Sequence, residues 1–148
     1  MDHELYMRRA LELAREAAAA GEVPVGCVIV RDGVIIGEGR NRREEKQAVF
    51  SHAEMEAMAQ ANAVLGSWRL EECILYVTLE PCPMCAGAII NARIPWVYYG
   101  ARDREMGACG GVLNLFMERF PHRPALVGGI LGEECREVLS EFFKGLRK

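Results

Sequence analysis

The run Cys73-Ile-Leu-Tyr-Val-Thr78 has almost no polar face, and this constrains the fold more than any other segment. A strand with one wet side alternates apolar and polar residues, so one that is apolar throughout must be covered on both sides. Its neighbours in sequence can supply the cover. Residues 3–20 are rich in Ala, Leu and Glu, with Tyr6, Ala10, Leu13, Ala14 and Ala17 at helical spacing and Gly21 placed to end the helix. Val25–Val30 and Val34–Glu38 flank Arg31-Asp32-Gly33, which predicts a β-hairpin turned by Asp-Gly. A polar loop follows over residues 40–46. The next helix runs from His52 to Leu65, with Ala57, Met58, Ala61 and Leu65 on one face. A shorter helix runs from Met84 to Ala92 and stops before Pro95. Trp96–Tyr99 predicts a fourth strand, Leu126–Leu131 a fifth, and Glu133–Leu146 a closing helix.

Strands that alternate with helices imply a layered α/β domain with helices on both faces of the sheet. No repeat, linker or low-complexity tract divides the chain, so one domain over residues 1–148 is expected. The chain is 51% hydrophobic, enough for one core at this length. A formal net charge of -3 argues against a non-specific nucleic-acid coat protein, but not against a local grip on a small piece of RNA. The acidic start Met1-Asp2-His3-Glu4 is not a signal peptide, and no apolar run approaches the roughly 20 residues of a membrane span. A cytoplasmic location is therefore expected, with reduced thiols. Six cysteines could pair as disulfides, but in a reducing compartment metal binding is the better reading of the closely spaced pair.

That pair is Pro81-Cys82-Pro83-Met84-Cys85, thirty residues beyond His52-Ala53-Glu54. On the first turn of a helix, Cys82 and Cys85 place both sulfurs on one face. Two thiolates and an imidazole suit zinc and leave one tetrahedral position open, the mark of a catalytic rather than a structural site. His52 and Glu54 present a geometric difficulty, because two residues on an ideal helix point about 200° apart. They can serve one site only at the very start of the helix. The ion would then sit between two helix N-termini, whose N–H groups favour thiolates. The competing reading of Cys82 and Cys85 is a redox pair, and the match to a thioredoxin-like motif is loose. Cys27 and Cys73 fall in strand patterns as small core residues, and Cys135 falls on the buried face of the last helix. Cys109 falls in a glycine-rich loop open to exposure, with no role assigned. His3 and His122 are isolated, as surface residues would be.

The order H-x-E…P-C-x-x-C is the known signature of zinc deaminases acting on cytosine or adenine. Zinc lowers the pKa of bound water from 15.7 to about 7. The chemistry served is attack on the ring carbon bearing the exocyclic amine, C6 of adenine or C4 of cytosine. Glu54 is the expected proton carrier.

Beyond this signature the chain resembles the bacterial tRNA adenosine deaminases. The matching motifs are Glu22-Val-Pro-Val-Gly26, Gly37-Glu-Gly-Arg-Asn-Arg42, Leu75-Tyr-Val-Thr-Leu-Glu-Pro-Cys82, Met84-Cys-Ala-Gly-Ala88, Gly100-Ala-Arg-Asp103 and Ser140-Glu-Phe-Phe143. The resemblance implies a cytidine deaminase-like three-layer α/β/α sandwich around a five-stranded mixed sheet, usually a homodimer with one Zn2+ per subunit. It implies conversion of adenosine to inosine at the wobble position of a tRNA anticodon. It also implies that Asn41 hydrogen-bonds the base, that backbone N–H groups near Ala53 and Cys82 help to hold it, that Val25 and Leu79 wall the pocket, and that Asp103 meets a flanking nucleotide. Deamination of a free base, nucleoside or nucleotide of guanine or cytosine type is the alternative. A non-catalytic zinc- or RNA-binding module would leave Glu54 unexplained and calls for a fourth protein ligand. An open groove framed by Asp103 and Phe142-Phe143-Lys144 would favour RNA over a small molecule.

Two segments depart from the family pattern. Ala48-Val-Phe-Ser51 stands where the family has Asp-Pro-Thr-Ala. Arg104-Glu-Met-Gly-Ala-Cys-Gly-Gly111 replaces a run that begins with lysine and ends in serine, so Glu105 brings an acid and Gly111 removes a hydroxyl. Basic residues that could meet phosphates are Arg40, Arg42, Arg43, Arg102, Arg104, Lys144, Arg147 and Lys148.

Overall fold

Alternate residues of the apolar run do face opposite sides. In the computed structural model, which describes residues 2–146, strand β3 (Cys73–Leu79) sends Cys73, Leu75 and Val77 into one core and Tyr76 into the other. The hairpin partners β1 (Gly26–Arg31) and β2 (Val34–Arg40) turn through Asp32 and Gly33, both with positive φ (51° and 75°). That is the backbone of a two-residue turn matched to strand twist. The order is β2-β1-β3-β4-β5, with β4 at Trp96–Ala101 and β5 at Ala125–Val127. β1 runs antiparallel to both neighbours, while β3, β4 and β5 are parallel. This is the expected five-stranded mixed sheet.

Helices α1 (His3–Ala19) and α5 (Gly132–Leu146) pack on one face. The other face carries α3 (Ala53–Leu65) and α4 (Pro83–Ala92). None of the helices among the described residues is long and apolar enough to cross a membrane.

Several expectations need correction. Residues 40–46 are not simply a loop: Arg43–Lys46 forms a helical turn, α2. It forms because the buried Glu22 carboxylate accepts the N–H groups of Glu44 (3.1 Å) and Glu45 (2.7 Å), a contact invisible to local sequence. The fifth strand ends at Val127 rather than Leu131. Gly128-Gly129 breaks the ladder there, with Gly129 at φ 86°, although the Gly129 and Ile130 N–H groups still reach the Gly100 and Tyr99 carbonyls. His3 and His122 are not idle surface residues. His3 stacks on Tyr98 with ring centroids 4.1 Å apart and places Nδ1 2.6 Å from the Tyr76 hydroxyl. His122 Nε2 lies 2.6 Å from the Ile94 carbonyl oxygen. Cys109 is buried; Cys27, Cys73 and Cys135 are buried as expected. Arg147 and Lys148 lie outside the described residues.

The seam between α3 and β2 is a close helix–sheet contact that bears on function. Gly37 and Gly39 face the helix backbone, and a Cβ at Gly39 would collide with the Ala53 carbonyl and the Ala57 N–H. Ala57 and Ala61 keep the helix side of the seam equally small. Gly39→Ala is expected to cost about 1–3 kcal/mol, as overpacking does. At roughly 2–4 °C per kcal/mol for a chain of this size, thermal denaturation should show a clear fall in Tm. Because Ala53 follows His52, zinc affinity measured by competition with a chelator should fall with it.

Candidate active site

Both chemical motifs open helices that start on the same side of the sheet. His52 is the N-cap of α3 with extended backbone (φ -82°, ψ 156°), and Glu54 is the second helical residue. The extended cap resolves the angular difficulty, since only Glu54 obeys helical spacing. Cys82 is likewise an extended N-cap (φ -76°, ψ 174°) for α4, with Pro83 at the first helical position and Cys85 on the first turn. β3 ends at Leu79, so Glu80 and Pro81 carry the chain straight from the sheet to the first cysteine.

The two helix starts bring three donor atoms together. His52 Nδ1 lies 3.6 Å from Cys82 Sγ and 3.6 Å from Cys85 Sγ. A tetrahedral zinc with Zn–S of about 2.3 Å and Zn–N of about 2.0–2.1 Å separates its nitrogen and sulfur ligands by about 3.5–3.6 Å. The donor set therefore fits zinc in both chemistry and spacing. Among the described residues, the group comprises these three side chains and no fourth.

The electrostatics favour one thiolate in the pair, at Cys82. Hydrogen bonding from Cys85 and from His52 pulls the Cys82 thiol down to about 4 against the effect of burial. Cys85 is pushed up, first by its hydrogen bond to Cys82 and then by burial. A divalent ion binds both sulfurs deprotonated, which ties binding to proton release. His52 is raised, chiefly by its hydrogen bond to Cys82. Burial pushes the Glu54 carboxyl up to about 7, where a group can both take and give a proton at neutral pH. The Cys109 thiol is also pushed up, to about 12, by burial, as an inert core thiol would be.

A cavity of about 190 Å³ opens above this group. Eight of the nine site residues named from the sequence line it: Val25, Asn41, His52, Ala53, Glu54, Leu79, Cys82 and Asp103. Cys85 lies buried behind them. Ala53 holds the first helical position, whose N–H has no acceptor within its own helix. Asn41 Oδ1 accepts from the Arg43 N–H (3.0 Å) and its Nδ2 donates to the Val23 carbonyl (3.3 Å), which fixes the amide's orientation. One N–H and one lone pair are left over for a ligand. Asp103 uses Oδ1 to turn its own loop, accepting from Glu105 (3.0 Å) and Met106 (3.1 Å).

Three lining residues had no role in the sequence reading, Val23, Glu80 and Met106, and a fourth, Arg43, was expected only as a base that could meet phosphates. Val23 and Glu80 sit inside the quoted motifs, so a signal for them existed. Arg43 reaches the cavity from the first residue of α2 and Met106 from the 103–111 loop, placements that no periodicity reports. Phe142, Phe143 and Lys144 are not among the described residues that line this cavity. Among the basic residues, Arg40 and Arg42 both bond Glu45, and Arg102 bonds the Gly110 carbonyl and the Tyr99 hydroxyl. The glycine at position 111 is a packing requirement as well as a lost hydroxyl, because a Cβ there would collide with the Asp103 carbonyl.

Comparison with known proteins agrees with this geometry. The family model of MafB19-like deaminases matches residues 1–147. A tRNA-specific adenosine deaminase of Bacillus subtilis (strain 168) is 49% identical over 98% of this chain and 91% of its own length. A solved structure from work on A-to-I editing by tRNA:A34 deaminases at the wobble position of transfer RNA superposes with a TM-score of 0.88. The two are 42% identical over 90% of this chain and 98% of that one. A guanine deaminase structure from Bacillus subtilis is also 42% identical, over 84% of this chain and 80% of its own, with a lower TM-score of 0.67. With the signature residues gathered at one cavity and the match running the length of the chain, this protein belongs to the MafB19-like deaminase family and, within it, to the tRNA-specific adenosine deaminases.

Proposed function

We propose that this chain is a single deaminase domain, residues 1–148, that converts adenosine to inosine at the wobble position of a tRNA anticodon. His52, Cys82 and Cys85 hold one zinc ion per subunit. When bound there, zinc supplies Lewis acidity and lowers the pKa of a water to about 7. The chain's own groups do the rest. Glu54 takes a proton from water and delivers it to N1 of the adenine ring as the water oxygen bonds C6. It then moves that oxygen's remaining proton to the amine nitrogen as the C6–N bond breaks. Water and adenosine thus become inosine and ammonia. Asn41 orients the base through its free N–H and lone pair, Val25 and Leu79 clamp its faces, and the N–H of Ala53 holds an oxygen in place. Asp103 meets the neighbouring nucleotide at the rim.

The observation that carries the chemistry is His52 Nδ1 at 3.6 Å from each of two sulfurs, with the buried Glu54 lining the same cavity. What supports the substrate is the 49% identity to a tRNA-specific adenosine deaminase across nearly the whole chain. A free-base activity has its own support in the guanine deaminase likeness. The protein is proposed to act as a homodimer in the cytoplasm. The homodimer is proposed to use the mostly apolar hollow between α3 and α4, lined by Met55, Met58, Trp68, Ala88 and Ala92 with Asn62 and Asn91.

The purified, zinc-loaded protein should release ammonia from an anticodon stem-loop with adenosine at the wobble position, and not from free guanine, cytosine or cytidine. Release from a free base alone would overturn the tRNA assignment.

A further inference from the structure

Glu80 is almost fully buried, at 2% exposure, and it has a task that the chemistry above does not use. Its Oε1 accepts the Asp103 N–H (3.1 Å), and its Oε2 accepts the N–H groups of Cys109 (2.9 Å) and Gly111 (2.8 Å). One carboxylate thus gathers three backbone donors from a single loop. The loop closes directly onto it: a Cβ at Gly107 or Gly111 would run into the Glu80 carboxylate or the Asp103 carbonyl. On either side of Glu80 the chain is pinned as well. The Glu80 N–H donates to the Ala101 carbonyl (2.8 Å), and the Ala108 N–H donates to the Pro81 carbonyl (2.8 Å). Arg102 holds the loop from outside through the Gly110 carbonyl (3.3 Å).

That loop supplies Asp103 and Met106 to the cavity wall, and Glu80 stands two residues before Cys82. We propose that Glu80 is a positioning residue that fixes the 103–111 loop as one wall of the substrate pocket, in register with the helix start that bears Cys82. Although it borders the cavity, both of its carboxylate oxygens are engaged by loop N–H groups, so it acts through the loop. Charge-assisted bonds to a buried carboxylate are among the stronger hydrogen bonds, and an amide in its place turns an N–H group towards backbone donors. The consequence is directed at substrate admission: Asp103 and Met106 lose their setting, while His52, Glu54 and the two thiolates keep theirs. The inference rests on the deaminase reading of the same cavity.

The test uses Glu80→Gln in the zinc-loaded full chain, assayed on whichever substrate of the panel above the unaltered protein turns over. The expected result is full zinc content, a KM raised about tenfold or more, and a kcat within about threefold of the unaltered protein. Rescue by Glu80→Asp should be partial at best, because the shorter side chain cannot reach all three donors. A kcat lost with KM unchanged, or loss of zinc, would overturn the proposal. If the variant does not fold, the unaltered zinc-loaded protein still decides. Amide hydrogen exchange by NMR should find Cys109 and Gly111 protected, and fast exchange at both would also overturn it. The exchange measurement needs no substrate, so a wrong substrate assignment and a wrong role for Glu80 give different results.

Discussion

Glu54→Ala is expected to keep one zinc per chain and to lose about 10²–10⁴ in kcat, the usual worth of a positioned acid–base group. Glu54 lies outside the His52, Cys82 and Cys85 group, so metal binding does not depend on it. The residue is 4% exposed and its carboxyl is pushed up to about 7 by burial, a placement that costs stability and suits proton transfer. Removing it should therefore leave Tm unchanged or slightly raised, as at many functional positions. Zinc analysis, ammonia release and thermal melting on one preparation make the check. Near-normal turnover in zinc-loaded Glu54→Ala would remove Glu54 from the mechanism.

Cys82→Ala should have the opposite signature, with metal lost first and activity lost as a consequence. Cys82 is half-buried at a helix cap whereas Cys85 is fully buried, so position 82 is the one where a ligand can be removed with least damage to packing. Loss of an outer-shell partner costs about 10–100-fold in metal affinity, and loss of a thiolate ligand should exceed that. Stability gives an independent readout. A ligand present at a thousandfold over its Kd stabilises the folded state by about 4 kcal/mol. The unaltered protein should therefore melt several degrees higher with zinc than after chelation, and in Cys82→Ala that gap should close. A zinc-dependent rise in Tm that survives the substitution would place the ion elsewhere.

The residues closest to the chemistry were the most legible in the sequence. The ligands and Glu54 are local, because each motif lies at one helix start and the fold only has to bring two such starts together. The apolar β3 run announced two covered faces for the same reason, since burial acts on each residue of a strand in turn. What escaped depends on contacts between distant segments. Cys109 is buried because its loop folds down on Glu80, twenty-nine residues earlier in the chain. The turn at Arg43–Lys46 is held by Glu22, and His3 is held by Tyr76 and Tyr98. Glu80 itself was in plain view within a quoted motif. Nothing in a linear pattern says that a glutamate will bind three backbone amides rather than face water.

The seam of Gly37 and Gly39 against α3 bears on how such a protein can change over generations. Substrate preference can drift only where side chains can be exchanged without moving the helix that presents His52. The seam denies that freedom to β2 and to the inner face of α3. Variation is left to exposed positions such as Val49, Phe50 and Met106, all more than half exposed, of which Met106 lines the cavity. These positions fall in the two segments where this chain leaves its family's pattern. A library built to alter substrate choice should randomise residues 48–51 and 104–106 and leave the glycines of β2 untouched. The frame would be inherited unchanged while the opening was rewritten.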